Sequence, residues 1–291
     1  MQHSIRKAVI PAAGFGTRLL PATKAQPKEM LVIVDKPVIQ YVVEEAVQSG
    51  ITDVLIIISA GKEVLRDHFR PDLELEKLLE QKGKGEELGE IQKLNHLCNI
   101  HIEYQHEQKG LGDAILCAEK FVGNEPFAVL LGDTIIESPV PLTQSLAEDF
   151  ESLQQPVVAL QQVPLDIVHR YGVFVGEQVS DKVYKATSLV EKPPEDNIPS
   201  NLVFSGRYIL TPDIFDCLRQ TLPGANNEIQ LTDAMRILMF NRALYGHLFD
   251  GVRHDVGNKL DFIKTNLLLG LKRDDIGPAL SQWLKTISDF S

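Results

Sequence analysis

Apolar residues fall into short unbroken runs early in the chain and into alternation later, and the two patterns predict different kinds of strand. Residues 7–11, KAVIP, form a brief apolar run ending in a turn of small residues, which predicts a buried first strand. Residues 53–59, DVLIIIS, form a second run, whose β-branched side chains suit a parallel sheet covered on both faces. Residues 100–104 and 127–131 supply two more candidate strands, and 111–121 between them has helical periodicity. The stretch 37–50 opens with Pro37, closes with Gly50 and is apolar at 38, 39, 42, 43, 46 and 47, which predicts an amphipathic helix. Alternating strands and helices predict right-handed crossovers and a ligand crevice at the carboxyl ends of the strands.

Residues 72–97 break this pattern. They are highly charged, with Leu73, Leu75, Leu78 and Leu79 near the start, and predict a helical insertion interrupted near Gly83 and Gly85. From about residue 156 the strands alternate, as in YGVFVGEQVS and VYKATSLVEK, which predicts antiparallel additions to the sheet. Residues 193–200 form a turn-rich loop, and 258–270 and 277–287 predict C-terminal helices that extend to about residue 287. The expected whole is one α/β domain spanning 1–291, with a mixed, mainly parallel sheet flanked by helices.

Composition narrows the function. The 291 residues include 40 acidic and 29 basic side chains, a net charge of −11, which argues against nonspecific binding to nucleic acid or anionic membranes. No apolar run approaches the ~20 residues of a membrane span, and no signal-peptide core precedes the first strand, so a soluble cytoplasmic protein is expected. Cys98, Cys117 and Cys217 are widely spaced and suggest neither disulfides nor a thiolate metal site.

The densest chemistry lies just after the first strand, in Gly14-Phe15-Gly16-Thr17-Arg18 and onward to Pro27-Lys28-Glu29-Met30. Glycines there let the backbone turn and present its N–H groups to a phosphate. Arg18, Lys24 and Lys28 follow as donors for a triphosphate and for charge building on a leaving pyrophosphate. The Gly-Lys-Ser/Thr of a P-loop is absent, and Leu19 stands where a dinucleotide fingerprint needs its third glycine. Pro21 and Pro27 predict a shaped loop rather than a helix.

Further along, Gln105 precedes Lys109-Gly110-Leu111-Gly112, and an amide that both donates and accepts suits a pyrimidine edge. Asp133 ends an apolar strand, as a ligand-facing carboxylate would, and hard oxygen donors suit Mg²⁺. Asp255 is the second candidate metal ligand, which only the fold could bring to Asp133. Glu191 offers a carboxylate acceptor and Lys192 a compact cation, a pair that is weak evidence on its own. Residues 227–234, NEIQLTDA, read mainly as a helix start with a capping pattern. His254 has no Ser or Cys nucleophile motif to serve and reads as structural.

The segment Gly14–Met30 resembles the signature loop of the sugar nucleotidylyltransferases, and the match continues in the same order through Asp133, Glu191-Lys192-Pro193 and Asp255 to about Leu271. The resemblance implies a Rossmann-like fold and a homodimer or homotetramer. It implies transfer of a nucleotidyl group to a sugar 1-phosphate, with UTP and glucose 1-phosphate as the pair. It assigns Arg18, Lys28 and Lys192 to catalysis and Asp133 and Asp255 to Mg²⁺. Ala12, Ala13, Gly14, Gly16, Thr17, Glu29, Gln105 and Gly110 would bind the nucleotide, with Gln105 reading uracil. Tyr171, Gly172, Glu191 and Gly206 would form the sugar pocket. Gly132 and Val256 depart from the uridylyl-transferring members, which often carry proline and cysteine there; Gly132 is usual in thymidylyl-transferring relatives. The insertion at 72–97 points back to the uridylyl group. The other readings are a thymidylyltransferase and a nonenzymatic sugar-nucleotide-binding regulator.

Overall fold

The computed structural model describes residues 5–224 and 227–287; the chain ends, 1–4 and 288–291, lie outside it. A nine-stranded sheet runs through the described residues. Its order is Asn99–Tyr104, Asp53–Ile58, Lys7–Pro11, Phe127–Leu130, Leu202–Leu210, Val157–Gln162, Tyr245–Leu248, Val183–Glu191 and Gly172–Gln178. The first four strands are mutually parallel, because helices and loops return the chain between them. Leu202–Leu210 then runs antiparallel to Phe127–Leu130 and Val157–Gln162, and only Tyr245–Leu248 beside Val157–Gln162 is parallel in the second half. The sheet is therefore more evenly mixed than the mainly parallel one expected.

The core forms on both faces. Val9, Leu55, Ile57, Phe127 and Val129 point to one side with Phe215 and Leu231; Ala8, Ile10, Ile56 and Leu130 point to the other with Val42, Val43 and Leu146. Burial on both faces explains why the first strands read as unbroken apolar runs. The predicted helix 37–50 is Val38–Gln48. The stretch 111–121 divides into Leu111–Leu116 and Glu119–Val122. The insertion is a helical hairpin, Leu73–Gln81 and Gly85–Asn95, that turns at Gly83 (φ +67°). It starts on Asp72, whose carboxylate accepts from the Glu74 and Leu75 N–H groups. The C-terminal helices are Lys259–Leu271 and Gly277–Ile287. Among the described residues no helix is long and apolar enough to cross a membrane.

The architecture places four loops at one end of the sheet. Residues 12–18, 59–62, 105–110 and 131–133 all leave the carboxyl ends of the four parallel strands, the position where open α/β sheets bind ligands.

Candidate active site

The glycine-rich segment is built by its punctuation. After Pro11 the Ala12 N–H makes one last bond to the Ile57 carbonyl, at 2.8 Å, and the chain leaves the sheet. Gly16 has φ +66°, a left-handed conformation natural to glycine, and a side chain there would stand 3.3 Å from Lys28 Cβ and Thr23 Cγ2. Pro21 and Pro27 each lead into a single tight turn, Ala22–Lys24 and Lys28–Met30, so the loop folds without a long helix. Among the described residues, the N–H groups of residues 13 to 17 have no intramolecular acceptor. Ala13, Gly14, Phe15, Gly16 and Thr17 line a cavity of about 560 Å³. Consecutive free N–H groups on a concave wall form an anion-binding surface.

Lys62, at the end of the second strand, fixes the back of this turn. Its ammonium donates to the Ala12 and Gly14 carbonyls, both at 2.6 Å, and lies 3.3 Å from Glu29 Oε2. A trans peptide points its N–H opposite its C=O, so the N–H groups of Ala13 and Phe15 face away from Lys62. Glu29 is 1% exposed. Burial raises its pKa against the pull of Lys28 and Lys62, and burial likewise lowers that of Lys62 against the pull of Glu29. Glu29 thus sits under the loop, with Gly132 packed on its Cγ, as well as bordering the cavity.

Asp133 meets Lys28, with Nζ and Oδ2 2.5 Å apart. Burial opposes both charges, yet each holds the other: Lys28 and Arg18 bring the carboxylate below its ordinary range, and Asp133 and Glu29 raise Lys28. The fold brings Asp255 to the same place. Asp255 pairs with Thr134 in a short antiparallel ladder, and the Val256 N–H donates to the Asp133 carbonyl at 3.1 Å. A side chain on Gly257 would begin 3.0 Å from Asp255 Oδ1, 3.2 Å from Asp133 Oδ2 and 3.0 Å from Arg18 Nη2. Two hard oxygen donors and a guanidinium therefore converge on one point. Among the described residues no group of three or more acidic, His or Cys side chains could hold a metal. Two carboxylates suffice for Mg²⁺, which keeps waters and phosphate oxygens as its other ligands.

The strand end carrying Asp133 is braced from below by Arg207, which is fully buried. Its guanidinium donates to both Glu45 carboxylate oxygens, to the Gly206 carbonyl at 3.0 Å and to the Thr134 carbonyl at 2.8 Å. Glu45 also accepts from the Thr143 hydroxyl, at 2.7 Å. The paired charges are thus satisfied by hydrogen bonds, the condition under which burial is tolerated.

Gln105 is 4% exposed, and both hydrogens of its amide are used. Nε2 lies 2.7 Å from Asp113 Oδ2 and 3.2 Å from the Gly110 carbonyl. The expected two-way use of this amide, donating and accepting toward a base, is therefore reduced to accepting. Gly110 has φ +97°, and a side chain there would collide with Glu228 Cβ at 2.8 Å. The segment 228–232 wedges against it, with the Ile229 N–H on the Lys109 carbonyl (2.7 Å) and the Gly112 N–H on the Ile229 carbonyl (2.8 Å).

The opposite wall carries Glu191 and Lys192. Lys192 sits at φ +43°, rare for a residue with a side chain, and its N–H is anchored on the Tyr171 carbonyl at 3.1 Å. Its ammonium is exposed and 3.3 Å from Glu191 Oε1. Glu191 Oε2 accepts from the Thr232 hydroxyl at 2.7 Å. Gly172 pairs with Glu191, and a side chain there would strike Phe204 at 2.6 Å. The Tyr171 ring is covered by Arg253, at 4.4 Å. Gly206 (φ +77°) lies where its strand shifts register, and its carbonyl accepts from the Leu131 N–H at 3.0 Å.

Of the residues expected from sequence, Ala13, Gly14, Gly16, Thr17, Arg18, Lys28, Glu29, Gln105, Gly110, Asp133, Glu191 and Lys192 line the one cavity. Ala12, Tyr171, Gly172, Gly206 and Asp255 stand behind or beside its walls. The capping pattern expected at 227–234 is not made: the helix Leu231–Leu238 begins without a side-chain cap, and Thr232 turns to Glu191 instead. Lys62, Asp113, Arg207 and Thr232 were not anticipated. Lys62 stands at a parallel strand end, and Arg207 is a lone charge in an apolar run, two signals that could have found them.

The family model for nucleotidyl transferases matches residues 7–270, and the chain belongs to that family. A UTP–glucose-1-phosphate uridylyltransferase of Staphylococcus haemolyticus is 48% identical over 283 residues, 97% of this chain and 98% of that one. A UTP-bound UGPase from Acinetobacter baumannii has a TM-score of 0.90 at 35% identity, covering 96% of this chain and 98% of the other. A UDP-glucose pyrophosphorylase complexed with UDP-glucose has a TM-score of 0.85 at 41% identity, covering 92% and 100%.

Proposed function

We propose that this chain transfers a uridylyl group from UTP to α-D-glucose 1-phosphate, giving UDP-glucose and pyrophosphate. The observation that carries the reading is one cavity with free N–H groups and the Arg18–Lys28–Asp133 cluster on one wall and Glu191–Lys192 on the other. The near full-length likeness to relatives named for this reaction supports the choice of substrates.

The chemistry follows from charge. A phosphate oxygen of the sugar phosphate attacks the α-phosphorus of UTP; the new P–O bond forms as the bond to pyrophosphate breaks in line. A phosphate oxygen is already ionised at neutral pH, so neither a protein nucleophile nor a general base is needed. Catalysis is positioning and charge stabilisation. The free N–H groups of residues 13 to 17 and Arg18 and Lys28 receive the triphosphate. Lys192 holds the sugar phosphate and Glu191 the sugar hydroxyls. Asp133 and Asp255 would hold Mg²⁺, which neutralises phosphate charge when bound. Assembly into a homodimer or homotetramer draws on the family resemblance and on the exposed Leu260, Ile263 and Trp283 of the C-terminal helices.

Purified protein incubated with Mg²⁺, glucose 1-phosphate and each of UTP, dTTP, CTP and ATP should release pyrophosphate fastest with UTP. Preference for dTTP would overturn the choice of base, and no release with any would favour a regulator. Asp133→Asn should lower turnover by roughly 10²–10³-fold while leaving the thermal melt cooperative, as loss of a transition-state charge partner does. Near-normal turnover would remove Asp133 from the chemistry.

A further inference from the structure

We infer that Asp113 sets the nucleobase specificity of this site by fixing which way the Gln105 amide faces. The inference rests on the reading that Gln105 meets the base. Asp113 lies in the first turn of the short helix Leu111–Leu116, and its carboxylate oxygen is 2.7 Å from Gln105 Nε2. The Gly110 carbonyl takes the second hydrogen of the same nitrogen, at 3.2 Å. A carboxylate and a carbonyl accept and never donate. Turning the amide over would set its oxygen against both of them, inside a side chain that is 4% exposed. The orientation is thus held by two acceptors and chiefly by Asp113, the closer and the charged one, and the group left to a ligand is the amide oxygen, an acceptor with no partner among the described residues.

An acceptor at that place selects a base that presents a donor. Uracil and thymine both carry N3–H on this edge. Cytosine offers a bare N3 lone pair, so the two acceptors would repel. A site that hydrogen-bonds one edge rejects the wrong edge strongly because its buried polar group is then left unpaired. Asp113 therefore excludes CTP and leaves UTP and dTTP equal at this contact; any choice between those two must come from elsewhere, at the base C5 position or the ribose 2′-hydroxyl.

The test is Asp113→Asn, which can donate or accept and so frees Gln105 to turn over. Rates are measured with UTP, dTTP and CTP at saturating glucose 1-phosphate, with the melt checked for folding. The ratio of kcat/KM for UTP over CTP should fall by about tenfold or more, the scale of one misplaced hydrogen bond. The UTP/dTTP ratio and the KM for glucose 1-phosphate should not move. Asp113→Glu should restore discrimination, and Asp113→Ala repeats the test should the asparagine variant fold poorly. An unchanged UTP/CTP ratio, or equal losses with all three nucleotides, would overturn the inference. Absence of activity in the unsubstituted protein with any nucleotide would instead overturn the function on which it rests.

Discussion

The two walls of the cavity are made in different ways. The wall proposed to receive the nucleotide (the nucleotide wall) is mostly backbone: free N–H groups from a contiguous loop, held from behind by Lys62 and shaped by Gly16 and Gly110. The wall proposed for the sugar phosphate is mostly side chain: Glu191 and Lys192, supported by Thr232 and by backbone from residues 171–172 at the start of the neighbouring strand. A triphosphate bears many acceptors of one kind, so repeated N–H donors suit it. A sugar phosphate bears hydroxyls in a particular arrangement plus one charged group, which calls for a carboxylate and an ammonium at fixed positions. The difference predicts that damage to each wall should register on a different substrate.

The largest effect should come from removing the charge that each wall contributes. Arg18→Met should lower kcat by about 10²–10³-fold with little change in the KM for glucose 1-phosphate, the pattern of a contact made in the transition state. Lys192→Met should act on glucose 1-phosphate, raising its KM, with UTP affinity unchanged by calorimetry. Loss of UTP affinity in Lys192→Met would break the comparison, because the walls would then share that cation.

Gly110→Ala should come next. The backbone there, φ +97° and ψ −178°, is a region open essentially to glycine, and the added carbon would lie 2.8 Å from Glu228 Cβ. The strain is of order 1–3 kcal/mol. It should appear as weaker UTP binding, about 5- to 150-fold by the same conversion, together with a lowered melting temperature. Gly14→Ala meets nothing within 4 Å and serves as the comparison for steric crowding. Equal effects from the two would show that crowding at Gly110 is not what matters.

The contrast between the walls also decided what could be read from the sequence. Most of the proposed nucleotide wall comes from one stretch, Gly14–Met30, where turn residues and basic side chains stand together, so it stood out before any fold. The two carboxylates proposed to hold Mg²⁺ stood out one at a time: Asp133 from its strand end, Asp255 only through its match to a pattern. The fold unites them through the ladder that sets Asp255 beside Thr134. The early strands were legible because they are buried on both faces. The edge strand Asn99–Tyr104 was likewise expected at 100–104, whereas the even mixture of parallel and antiparallel pairs was not legible, since pairing partners leave no local trace. Gln105 stood out as an amide suited to a base edge, but its orientation depends on Asp113 and on the Gly110 carbonyl, which only the folded loop brings to it. Thr232 was hidden because LTDA after Gln230 looks like an ordinary helix start, and nothing in the sequence says that its hydroxyl reaches a carboxylate 41 residues earlier.

Thr232 gives the smallest effect and the sharpest probe. Its segment touches both walls, through Ile229 against Lys109 and Gly112 and through Thr232 against Glu191. Thr232→Val keeps the shape and removes one hydrogen bond, worth about 1.5–2 kcal/mol, the low end of the range for a charged acceptor. If that bond only aims Glu191, the KM for glucose 1-phosphate should rise by roughly 10- to 30-fold on the same scale and UTP affinity should stay put. If instead the segment transmits strain, UTP affinity should fall as well, because any shift of residue 232 would pull the backbone bonds at 229 that close on Gly110. Isothermal titration with UTP, with and without the substitution, separates the two. A change in both substrates would mean that the walls are distinct in construction and coupled in action, with residues 228–232 as the joint.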